Sequence, residues 1–240
     1  MTAAEARKQR WESLKDKPLR EKLKYIFTYY WPGILGGVCV LVFLVSWIGG
    51  ILLEKETYLY GQMINAIEIS DYQGDLAGDF MAHQQIDTSD YEFHMQPFSL
   101  NGTTGTVDYQ ALEIFAAQIA AGQVDFLVAG KTTYSDLTIY FQDLRAVLSA
   151  EQLEKYQDKL MYVEQAALDL LNSDEEYPPK PEYFTSTEGM TGPVPIAIRL
   201  PGDCKIMEAY GFPVGDVLFG IPHNASHAEN AFAFLDYALS

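Results

Sequence analysis

The stretch from Ile34 to Leu53 (ILGGVCVLVFLVSWIGGILL) is apolar except for Ser46, and no charged residue stands between Tyr25 and Leu53. Twenty helical residues rise ~30 Å, the thickness of the hydrocarbon core of a bilayer. A soluble helix of that length keeps a polar face, and this stretch has none. Tyr29, Tyr30 and Trp31 precede it, and Trp47, Tyr58 and Tyr60 lie near its far end, where interfacial aromatic belts belong. The pattern predicts one transmembrane helix over residues 31–53.

Beyond it the periodicity changes. Tyr58–Ile69 reads as a strand, Tyr72–Gln84 as a helix, and Tyr91–Leu100 as a strand whose Pro97 suits an end or a sheet edge. Asp108 opens a helix with apolar Leu112, Phe115, Ala116 and Ile119, and Gly122 ends it. Val124–Ala129 (VDFLVA) is the continuous apolar run of a buried parallel strand. Ser149 to Gln152 forms a capping box for a helix reaching about Leu160. Asn172–Pro193, rich in Pro, Gly and acids, reads as irregular. Val194–Leu200 and Asp216–Pro222 read as strands, and a second capping box, Ser226 to Glu229, opens the closing helix. The alternation predicts an α/β fold, a mainly parallel sheet flanked by helices behind a single transmembrane helix.

Charge sets the direction of the span. Residues 1–30 carry eight Lys or Arg against four acids, whereas residues 54–240 carry eight against 29, a net of −21. Only Lys55 closely follows the span, so the positive-inside rule puts the basic segment in the cytoplasm and residues 54–240 on the extracellular face of the cell membrane. A surface that acidic repels phosphate backbones, which excludes nucleic acid as its partner. The apolar run is too long for a secretory h-region, and Trp47 and Ile48 are too large for the cleavage position, so the anchor is expected to stay. Basic residues before it suit anionic lipid. Gly33 and Gly37, then Ser46 and Gly50, have the spacing that lets two membrane helices approach, so a helix-mediated dimer is a further expectation. The outer domain has a single thiol, Cys204, and so no internal disulfide.

Two segments carry a family likeness. ALEIFAAQIAAGQVDFLVAGKTTYSDL with FQDLRAVLSAEQLEKYQDKL, and the ending VLFGIPHNASHAENAFAFLDYAL, resemble bacterial extracellular solute-binding proteins of the periplasmic-binding-protein type 2 class. In those proteins a helix ends at a small residue and Gly, a strand opens with Asp, and a closing strand leads into a last helix. The chain is shorter than two-lobed members, so the resemblance implies a reduced, membrane-anchored relative. It implies a solute-binding component or accessory of a transporter, with a permease or another envelope protein as partner. The alternative is a protein-interaction or scaffold ectodomain with no small-molecule site.

Catalytic motifs are lacking, so an enzyme is not expected, and no cofactor is implied. Gly130-Lys131-Thr132 matches the end of a phosphate-binding loop, but Asp125 stands where that loop needs its first Gly. His223 and His227 are four apart, yet Ser226 as N-cap would leave His223 outside the helix, and no metal site is expected. The remaining candidate is a polar-ligand site beyond the carboxyl ends of the parallel strands, where loops converge. Three groups are placed there: Ser70, Asp71 and Tyr72; Thr103 and Thr104; and Lys131, Thr132, Thr133 and Tyr134. Tyrosine offers a stacking face, threonine a hydroxyl, and lysine a charge for carboxylate or phosphate.

Overall fold

The computed structural model describes residues 18–53, 55–101, 108–173, 178–213 and 215–240. The chain divides into two compact units, Met1–Glu54 and Lys55–Ser240.

In the first unit, helix α1 (Leu19–Leu53) starts directly after Pro18 and continues through Pro32. Its apolar stretch Trp31–Gly49 is long enough to cross a membrane, and none of that stretch is buried. Leu41, Phe43 and Val45 are each more than 60% exposed, apolar surface on both sides of the helix that water would penalise. The last basic residues, Arg20, Lys22 and Lys24, belong to the same helix as the span.

The second unit is built on one six-stranded sheet. Its strands are β1 (Glu56–Ile64), β3 (Tyr91–Phe98), β4 (Phe126–Gly130), β5 (Leu160–Glu164), β6 (Pro193–Leu200) and β8 (Val217–Gly220), in the spatial order β3-β1-β4-β8-β6-β5. A separate two-stranded ribbon pairs β2 (Ile67–Glu68) with β7 (Tyr210–Gly211). The first half of the large sheet is parallel, β3 and β1 and then β1 and β4. The second half is antiparallel throughout, β4 with β8, β8 with β6, and β6 with β5. The sheet is therefore mixed, which corrects the expectation of mainly parallel pairing. A strand covered on both faces is apolar at every position whichever way its neighbour runs, so strand direction leaves no mark in composition.

Alternating side chains feed two cores. Leu59, Met63, Phe126, Val128, Ile198, Val217 and Phe219 face one side, under α2 (Leu76–His83), α7 (Lys205–Ala209) and α8 (Ala228–Leu239). Ile64, Leu127, Ala129, Met161, Ala197 and Leu218 face the other, under α3 (Tyr109–Ala120) and α4 (Lys131–Asp136). This period of two follows from the pleat. Two further short helices, α5 (Ala150–Lys155) and α6 (Gln165–Leu171), flank β5.

Asp108 caps α3 through its carboxylate, and Gly122 takes the left-handed conformation (φ +65°) that ends the helix. The Ser149–Gln152 capping box forms, but α5 ends at Lys155 and residues 160–164 (LMYVE) form β5 rather than more helix. Pro97 lies in β3, the edge strand, where its missing N–H faces no partner strand. The second capping box does not form: the N-cap of α8 is His227, and the Ser226 hydroxyl donates instead to the Gly122 carbonyl at 2.9 Å.

Candidate functional site

The carboxyl end of β4 runs without a loop into α4. Gly130 caps that helix in extended geometry, and the Lys131 amide donates to the Asp216 carbonyl at 2.8 Å, tying the turn to the entry of β8. Residues 180–183 are strapped across the same turn. The Lys131 ammonium donates to the Tyr183 carbonyl at 3.1 Å, and the Ser135 hydroxyl to the Pro181 carbonyl at 2.9 Å. Lys180 pairs with Asp136, and the Thr138 and Tyr183 hydroxyls share a 2.8 Å hydrogen bond. These bonds hold an otherwise irregular segment against the sheet.

Between the strap, α4 and the turn before β8 lies a cavity of about 610 Å³. Lys131, Thr132, Thr133, Lys180, Glu182 and Asp216 supply its polar lining. Its size falls within the ~300–1,000 Å³ common for small-molecule sites. Thr132 is exposed at its rim, while Lys131 and Thr133 are half-buried.

Asn65, a residue the sequence analysis passed over, joins this cavity to the ends of the neighbouring strands. It adopts positive φ (54°), a conformation that asparagine tolerates better than most residues. Its side-chain carbonyl accepts from the Leu100 amide at 2.8 Å, and its side-chain amide donates weakly to the Thr133 hydroxyl at 3.4 Å. The carboxyl ends of β1, β3 and β4 are thereby linked through one side chain.

No family model, no curated protein and no solved structure matches this chain.

Of the residues placed there from the sequence, Lys131, Thr132 and Thr133 line one cavity together. Tyr134 does not join them. It is fully buried, stacked on Phe141 at 3.9 Å between ring centroids, with its hydroxyl donating to the Ile196 carbonyl at 3.1 Å. One helical residue further on, the side chain points into the sheet, which a loop reading could not foresee. Tyr72 lines a second cavity of about 400 Å³, with Glu68, Asp75, His94, Gln96 and Tyr210. Asp71, in the exposed turn after β2, is in the lining of neither. Thr103 and Thr104 lie outside the described residues.

A buried carboxylate forms a third constellation. Asp125 is 1% exposed and receives the Tyr60 amide at 2.9 Å and the His227 amide at 2.8 Å. The His227 ring nitrogen Nδ1 stands 3.2 Å from the same carboxylate. These bonds pin β1, β4 and the start of α8 together. Among the described residues no group of three or more His, Cys, Asp or Glu is placed to hold a metal ion. Cys204 is buried at the start of α7, and that burial raises its thiol pKa, the opposite of an activated nucleophile.

Proposed function

We propose that the chain is a membrane-tethered binding protein whose outer domain receives a small polar ligand in the cavity beside Lys131. The observation that carries this reading is the cavity itself, lined by charged and hydroxyl groups at the carboxyl end of a central strand. Open sheets bind ligands at such ends because several loops can converge there on fixed backbone. The unburied apolar stretch of α1 supports a bilayer anchor, and the excess of basic residues before it supports a cytoplasmic N-terminus with an extracellular domain. A reduced relative of solute-binding proteins, working beside a transporter permease or another envelope protein, accords with this arrangement.

Thr132→Trp tests the site, because an indole at the exposed rim fills the cavity without entering the core. Thermal unfolding of the full chain in detergent, against a panel of amino acids, sugars and carboxylic acids, should reveal a stabilising ligand for the wild type and none for the variant. A panel without effect, or equal stabilisation of both proteins, would count against the reading. Orientation is checked in intact cells: an N-terminal tag labelled from outside would reverse the proposed topology.

A further inference from the structure

Cations are scarce in the outer domain, eight against 29 acids, so their partners are informative. Five of them are engaged; Arg145 grips Asp143, Lys155 pairs with Asp236, Lys205 bonds the Tyr237 carbonyl, and Lys131 and Lys180 hold the strap. Lys55 is exposed at the domain's start. Lys159 and Arg199 remain. Both are half-buried, and among the described residues neither side chain has a hydrogen-bond or ion-pair partner.

These two residues are cross-strand neighbours. Lys159 directly precedes β5 and Arg199 lies near the end of β6, and the Arg199 amide donates to the Lys159 carbonyl at 2.8 Å. Directly opposed residues in an antiparallel pair project from the same face of the sheet. They line a cavity of about 400 Å³ together with Leu200, Pro201 and the exposed carboxylates Asp158 and Asp216. Asp216 also lines the cavity beside Lys131, so the two spaces adjoin along one end of the sheet.

Two like charges side by side repel, and partial burial strips each of some water. Asp158 and Asp216 on the same lining offset part of that charge, but neither stands within ion-pair distance of Lys159 or Arg199. A guanidinium fork beside an ammonium matches the oxygens of one phosphate or carboxylate group. We propose that Lys159 and Arg199 form an anion-binding subsite for a phosphate or carboxylate group, distinct from the cavity beside Lys131. Asp216 opposes the anion from the shared wall and sets its affinity.

The test titrates inorganic phosphate into the full chain in phosphatidylcholine nanodiscs, followed by calorimetry. Saturable binding is expected. Arg199→Ala and Lys159→Ala should each weaken it about tenfold or more, the loss of a charge-assisted hydrogen bond. Asp216→Asn should tighten it several-fold, a gain that misfolding cannot imitate. Lys155→Ala, a cation outside the cavity, should leave it unchanged. A second set of discs containing phosphatidylglycerol separates the sources: weaker phosphate binding there marks a lipid headgroup as occupant, and unchanged binding marks a free anion. Failure to saturate, or equal weakening by Lys155→Ala, overturns the proposal. If Thr132→Trp abolishes phosphate binding while Arg199→Ala does not, the anion belongs to the first cavity. That outcome overturns the subsite and leaves the proposed function standing.

Discussion

Tyr134 separates a ligand group from a core residue, and two substitutions distinguish the roles. Its ring is 0% exposed, stacks on Phe141, and meets Tyr183 edge-on with 5.7 Å between centroids. Truncation to alanine removes these contacts and leaves a cavity, at a cost of about 3–5 kcal/mol for a buried aromatic. That is a large share of the ~5–15 kcal/mol that stabilises a whole domain. Tyr134→Phe keeps the ring and removes only the donor to the Ile196 carbonyl. That carbonyl sits at the irregularity where β5 and β6 shift register, and Ile196 has no register partner in either neighbouring strand. Leaving it unpaired costs about 1–3 kcal/mol. The assay is urea unfolding of residues 55–240, followed by circular dichroism because this unit contains no tryptophan. The expected order is wild type, then Phe, then Ala, with the alanine variant near unfolding at physiological temperature. An alanine variant within about 1 kcal/mol of wild type would refute the packing argument, since burial of that ring is worth more than that.

Gly61 should be equally intolerant, because a Cβ there would stand 2.0 Å from the Phe126 ring, itself stacked on Phe219. Gly61→Ala should cost about 3 kcal/mol by overpacking, and in an unfolding cycle with Phe126→Leu the combined loss should fall short of the sum. Stability should also fall at alkaline pH. Burial raises the pKa of Tyr134, Tyr183 and Tyr156, and burial followed by the charge of Glu68 raises that of Tyr210 to about 12. The folded state keeps these protons where unfolded phenols lose theirs, so stability is whole below pH 10.0 and declines as pH rises through the raised values. Unfolding measured across that window should show a shallower decline for Tyr134→Phe.

The long apolar helix was legible because its length and lack of polarity are carried by consecutive residues, Ile34 to Leu53. The caps at Asp108 and Ser149, and the glycine that ends α3, were legible for a similar reason, since each acts within four residues of chain. Lys131, Thr132 and Thr133 follow an apolar strand in the sequence, and in the structure they line one cavity. Tyr134 was misplaced because one helical step separates the cavity from the core, and α4 is too short for any periodicity to show it. Ser226 failed as a cap because the Gly122 carbonyl, 104 positions away, competes for its hydroxyl. The Asn65 bridge and the Lys159–Arg199 pair depend on contacts across 35 residues or more of chain, and strand direction on pairings as distant as Leu127 with Gly220. Local chemistry therefore determined the long apolar helix, the charge asymmetry and most elements. Tertiary structure alone decided the mixed sheet, which side chains share a cavity and which cations stand without a partner among the described residues, because those depend on distances the chain sets only by folding.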